Sequence, residues 1–88
     1  MKTKKDLLYS FNHTQKRMEE RYNIFIDNKD YLEMCDRISC KRNVKFISEK
    51  RQKNDIQQIY HIPFKGNTIR VVWSRSDKRI KTALPTPD

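Results

Sequence analysis

Tyr60-His61-Ile62-Pro63-Phe64-Lys65-Gly66-Asn67-Thr68-Ile69-Arg70-Val71-Val72-Trp73-Ser74 contains the only glycine of the chain, set between two alternating runs. Before it, Tyr60, Ile62 and Phe64 alternate with Ile59, His61 and Pro63; after it, Ile69, Val71 and Trp73 alternate with Arg70, Val72 and Ser74. A period of two places one set on a buried face and the other on the opposite face. Lys65-Gly66-Asn67 is where a hairpin needs a positive φ, so the stretch reads as two antiparallel strands, Ile56–Phe64 and Thr68–Ser74. Pro63 removes a ladder donor and predicts an edge or a bulge at that end.

Downstream, Arg75-Ser76-Asp77-Lys78 reads as a second turn and Arg79–Leu84 as a last strand, Ile80, Thr82 and Leu84 alternating with Arg79, Lys81 and Ala83. Pro85 stops it. Upstream, Val44–Ser48 reads as a strand and the polar run Glu49–Asp55 as a connecting loop.

Before Arg42 the period is helical. Tyr31, Met34, Cys35 and Ile38 follow the i, i+3, i+4, i+7 pattern of a helix over 28–39. Asp27 is its N-cap, and Asp30 completes a capping box. An earlier helix over 11–22 gathers Phe11, Met18 and Tyr22 on one face beside Thr14 and Gln15. His13, Arg17 and Arg21 form a separate stripe on its flank. Asn23–Ile26 is a short apolar link.

Helices followed by strands predict an α+β fold, with two N-terminal helices packed on one face of a four-stranded antiparallel meander. The chain of 88 residues is long enough for one domain. Residues 1–9 form a basic lead-in whose Leu7, Leu8 and Tyr9 pack onto the body; 10–42 are the helical part, 43–85 the sheet and 86–88 a tail.

Twenty Lys and Arg against eleven Asp and Glu give a net charge of +9. Such an imbalance attracts polyanions, so a nucleic acid is the first partner to expect and an acidic protein the second. No apolar run approaches a membrane span or a secretory core, which places the chain in the cytoplasm, without a membrane partner. Cys35 and Cys40 are spaced poorly for a disulfide, and with His61 they fall short of four zinc ligands. No metal or cofactor is expected. A single glycine excludes the Walker and dinucleotide fingerprints.

Phe11-Asn12-His13, Arg17 and Glu20-Arg21-Tyr22 resemble the opening helix of a group of small bacterial and phage domains, where a histidine precedes a basic residue and a Glu-Arg pair. Tyr60–Phe64, Gly66, Ile69–Val72 and Ile80-Lys81-Thr82-Ala83-Leu84-Pro85 are similar to the same group's terminal hairpins. The group is placed with the RelE, barnase, EndoU and colicin ribonuclease toxins. The resemblance spans residues 10–85 and implies a RelE/barnase-like fold, an RNA substrate ahead of DNA, and functional positions at His13 and Thr82.

Cleaving RNA without a metal needs a base for the ribose 2′-hydroxyl, an acid for the leaving oxygen, and cations around the phosphorane. Histidine titrates near neutrality, and arginine grips phosphate with a planar fork. The expected catalytic set is therefore His13, Arg17, Arg21 and Thr82, with Arg70, Lys81, His61 and Ser74 binding nucleic acid. Lys81 has the opposite strand parity to Thr82, so the two share a face only if a bulge intervenes. Each residue also has a plainer role: His13 as a packing residue, His61 as an ordinary strand residue, Arg17 and Arg21 as helix-surface partners of Glu20, and Thr82 as a strand former.

Two rival functions follow from the same residues. One is a non-catalytic phage or mobile-element protein that binds nucleic acid to modulate a host process. The other is a module for an acidic protein, such as an antitoxin or a host target, received on an exposed edge of the meander.

Overall fold

The structure is a computed structural model that describes the backbone of residues 4–85 and the side chains from Tyr9 to Pro85. Helix α1 (Lys4–Tyr22) and helix α2 (Asn28–Cys40) precede strands β1 (Lys45–Gln52), β2 (Asp55–Phe64), β3 (Asn67–Ser74) and β4 (Arg79–Leu84). The four strands form one antiparallel sheet in the order β1-β2-β3-β4, the α+β meander expected. None of the described helices is long and apolar enough to cross a membrane.

The α2 signals act as read. The Asp27 carboxylate accepts from the Asp30 N–H at 2.8 Å, the Asp27 N–H donates to Asp30 at 3.2 Å, and Tyr31, Met34, Cys35 and Ile38 are buried. They pack on Tyr60, Ile62, Phe64, Ile69, Val71 and Trp73, the predicted inner set of β2 and β3. At the exit, the Arg37 guanidinium donates to the carbonyls of Asn43 and Pro63, both at 2.8 Å, and pins the helix end to β2.

Several features differ from expectation. Helix α1 starts at Lys4 rather than Phe11, because Lys4–Leu8 contains no breaker and a helix needs no buried face to propagate through good helix formers. Tyr9 does not pack onto the body: it is 70% exposed and stacks on His13. The side chains of Leu7 and Leu8, and the 86–88 tail, lie outside the described residues.

Of the expected 49–55 loop only Lys53 and Asn54 form a turn. β1 runs on to Gln52, and Glu49, Lys50, Arg51 and Gln52 pair with Gln58, Gln57, Ile56 and Asp55. These residues of β1 are exposed on both faces, so no apolar alternation marks them in the sequence.

The alternation read in β4 is broken. Val72 pairs with Thr82 and Trp73 with Ile80, leaving Lys81 as the extra residue of a bulge. Ala83 is therefore a core residue with Ile80, and Leu84 is only half-buried.

Helix α1 closes the β4 edge. Ser10, Thr14 and Met18, one turn apart, are buried. The Thr14 hydroxyl and the Tyr31 phenol, from α2, donate to the Ile80 carbonyl at 3.5 and 2.6 Å. Arg21 donates to the Ala83 carbonyl at 2.6 Å, and Tyr22 donates to that of Leu84. At Ile80 and Ala83, side chains thus occupy carbonyls that an open edge would offer to another strand.

Candidate nucleic-acid interface

Thr14 contacts β4 at Ile80, Arg21 at Ala83 and Tyr22 at Leu84, so helix and strand advance side by side in the same direction. The flank carrying His13, Arg17 and Arg21 faces this seam at its Arg21 end. Arg17 forms an ion pair with Glu20 at 2.9 Å, and the Arg21 guanidinium holds the Ala83 carbonyl. His13 lies parallel to the Tyr9 ring, centroids 5.9 Å apart. Burial lowers its pKa below the usual histidine range, and the charges of Arg17, Arg21 and Lys16 lower it further against the opposing pull of Glu20.

A second basic group lies on the sheet face turned away from the helices. Lys45 is paired with His61, and His61 with Arg70, so three basic side chains form one row across β1, β2 and β3. Strands lie about 4.8 Å apart, which sets Lys45 and Arg70 roughly 10 Å from each other at the backbone. The His61 Nε2 and the Arg70 Nε are buried, and neither has a hydrogen-bond partner among the described residues. A shallow cavity of about 310 Å³ adjoins the row, lined by Asn43, Lys45, His61 and Thr68 among others. The His61 pKa is lowered by burial first, then by the cations of Arg70 and Lys45, which keeps the ring neutral at pH 7.

The Tyr22 phenol joins the two groups. Beyond its bond to the Leu84 carbonyl it accepts the Arg70 N–H at 3.0 Å, and Leu84 is the β4 partner of Arg70. The row Lys45–His61–Arg70 therefore continues through Leu84 to the C-terminal end of α1, where Arg21 stands.

Comparison with family models, with curated proteins and with solved structures gives no match.

The remaining predicted residues divide. Ser74 is fully buried; its hydroxyl donates to Asp55 at 2.7 Å and accepts the Asp77 N–H at 3.1 Å, so it joins two turns and offers nothing to a ligand. Its parity with Arg70 located the face correctly, but the turn folds over it. The bulge at Lys81 supplies the condition under which Lys81 and Thr82 could share a face, yet the Lys81 ammonium is ion-paired with Asp77. Thr82 is half-buried opposite Val72 on the outer face. Lys45 was not expected. Its only signal is register, because it stands opposite His61 on a strand whose pairing no local pattern announces.

No group of three or more His, Cys, Asp and Glu gathers among the described residues in a way that could hold a metal ion. The chemistry on offer is a row of cations and N–H donors flanking a neutral imidazole. That set is suited to phosphate oxygens.

Proposed function

We propose that this chain binds the sugar–phosphate backbone of a cytoplasmic RNA along the row Lys45–His61–Arg70 and on toward the α1–β4 seam. The observation that carries the reading is the pair of buried, unpartnered nitrogens on His61 and Arg70, which face each other across one rung of the β2–β3 ladder. Buried polar groups of this kind find partners in nearly all proteins, and a phosphate is an acceptor that a lysine, an imidazole and a guanidinium can share. The net charge of +9 supplies the long-range attraction.

The test is binding of fluorescent single-stranded RNA to wild type and to a Lys45→Gln/Arg70→Gln variant over a salt series. Each lost phosphate contact should flatten the slope of log K against log salt by about 0.7. Unchanged affinity and slope in the variant would remove the row from the interface. Competition by DNA of the same sequence reads the preference for the 2′-hydroxyl, and capture by an acidic protein with no RNA affinity would transfer the charge to the rival reading.

A second reading, metal-independent RNA cleavage of the toxin type, is favoured by one feature of the same row. A neutral imidazole beside a guanidinium provides a base and a transition-state cation in adjacent positions. In the His13 version of this chemistry, both nearby arginines already have partners.

A further inference from the structure

At the other end of the strands, the β1–β2 and β3–β4 turns meet around a cleft of about 480 Å³. It is lined by the exposed side chains of Arg51, Lys53 and Arg75 together with Asn54, Asp55 and Ser76. The two turns are cross-braced. Asp55 accepts from the Ser74 hydroxyl at 2.7 Å, the Ile56 N–H at 2.7 Å and the Ser76 N–H at 3.1 Å. The Arg75 N–H donates to the Ile56 carbonyl at 3.0 Å, and the Ser76 hydroxyl to that of Asn54 at 3.2 Å.

Two consequences follow. The two turns hold each other, so the cations they carry are anchored at their backbones before a ligand arrives. The one carboxylate in the cleft is also engaged by three internal donors, which leaves the cations dominant at the surface.

We infer that this cleft is a second phosphate-binding site, and that it receives a later stretch of the same RNA strand that crosses the Lys45–His61–Arg70 row. The inference rests on the nucleic-acid reading above. Gln52, at the cleft, is roughly 20 Å from Lys45 along β1 at the ordinary rise per strand residue. A strand of a few nucleotides can occupy one site but not both. A longer one reaches both, and the second contact then forms at high effective concentration.

The experiment compares oligouridylates of about four and about twelve nucleotides, within the range of single-strand site sizes. Each is titrated into wild type and into an Arg51→Gln/Lys53→Gln/Arg75→Gln variant. Wild type should bind the longer strand at least about tenfold more tightly than the shorter. The triple variant should lose that advantage, with a salt slope lower by about two for the long strand, while the short strand still binds at the Lys45–His61–Arg70 row. That remaining short-strand binding also reports that the variant is folded. A length advantage that survives in the triple variant would overturn the second site and leave the first intact. If wild type binds neither oligomer, the nucleic-acid reading falls and this inference with it. Should free inorganic polyphosphate shift the Asn54 and Ser76 amides while long RNA does not, the cleft takes phosphate from another source and the inference is again overturned.

Discussion

The Tyr22 phenol accepts the main-chain N–H of Arg70 at 3.0 Å and donates its own O–H to the Leu84 carbonyl. A helix side chain thereby fills a rung of the β3–β4 ladder. The position has a functional consequence, because the strand it secures carries Arg70 into the basic row. Tyr22→Phe would leave the Arg70 N–H and the Leu84 carbonyl without this partner in a half-buried place. The expected cost is about 1–3 kcal/mol. In a domain of this size each kcal/mol lowers the melting temperature by about 4–8 °C. Thermal unfolding of Y22F should show that loss with the fold retained, and RNA affinity should fall with it. A variant as stable as wild type would mean that the rung closes without the phenol.

His61 should make binding depend on pH. Burial and the Arg70 and Lys45 cations lower its folded pKa below the ordinary 6.5, so the free protein carries a neutral ring at pH 7. A phosphate beside the ring favours the imidazolium, which means that RNA and a proton bind together. Affinity should rise as pH falls below about 6.5, and the His61 titration followed by NMR should move upward when RNA is added. For the free protein the sign is opposite. The unfolded chain takes up the proton first, so stability falls as pH drops from 6.5 toward the depressed value. A His61 titration curve indifferent to RNA would place the ligand elsewhere.

How far the sequence determined these features differs from element to element. Asp27, Asp30 and the Tyr31–Ile38 stripe are local signals, each decided within one or two helical turns, and they located α2 almost to the residue. The Gly66 hairpin was legible for the same reason, with the residues that must turn adjacent in the chain. The outer half of β1 was not, because a ribbon wet on both faces has no apolar period. The site shows the same division. Strand parity assigned His61 and Arg70 to one face, but their pairing with Lys45 depends on register between distant segments. Ser74 was misread because parity reveals which face a residue takes, not what folds over it.

Asp55 should dominate the acid sensitivity of the turn region. Burial raises its pKa, but hydrogen bonds from Ser74, Ser76 and Ile56 outweigh that and hold it below the ordinary aspartate value of 3.8. Its stabilisation is therefore complete above that value and is lost as pH falls through the lower folded one. Asp55→Ala strands three donors and should cost about 2–4 kcal/mol at neutral pH. Denaturant melts at pH 7 and near pH 3 should show the two proteins converging in stability as the carboxylate is neutralised. A constant gap between them would assign the cost to packing instead.

Gly66 separates backbone strain from crowding. It sits at φ +79° in the two-residue β2–β3 turn, and a Cβ built on it meets no atom within 4 Å. Gly66→Ala should thus cost only the left-handed penalty, about 1–2 kcal/mol, with no change in the core. Lys65, at φ 48°, already tolerates the same region with a side chain. Chemical shifts of Tyr60 and Ile69 should stay put while the urea midpoint falls; core shifts that move would indicate that the register had slipped.

Cleavage is the prediction that separates an enzyme from a binding domain, and the two histidines make it decidable. In EDTA, a metal-free reaction can draw only on side chains for the base, the acid and the charge on the phosphorane. His61 has a neutral ring and Arg70 directly across the ladder on β3, whereas His13 stacks on Tyr9 beside arginines already bound to Glu20 and Ala83. Under the cleavage reading, His61→Ala should slow RNA breakage by about 10²–10⁴-fold, the usual contribution of a positioned base, while His13→Ala leaves most of it. The reverse order would move the centre to the α1–β4 seam, where the resemblance to the ribonuclease toxins puts it, and would require Arg17 or Arg21 to exchange its present partner for the phosphate. RNA that is retarded on a gel yet stays whole in EDTA for both wild type and variants would end the cleavage reading. The row would then act through its cations alone, holding a strand without breaking it.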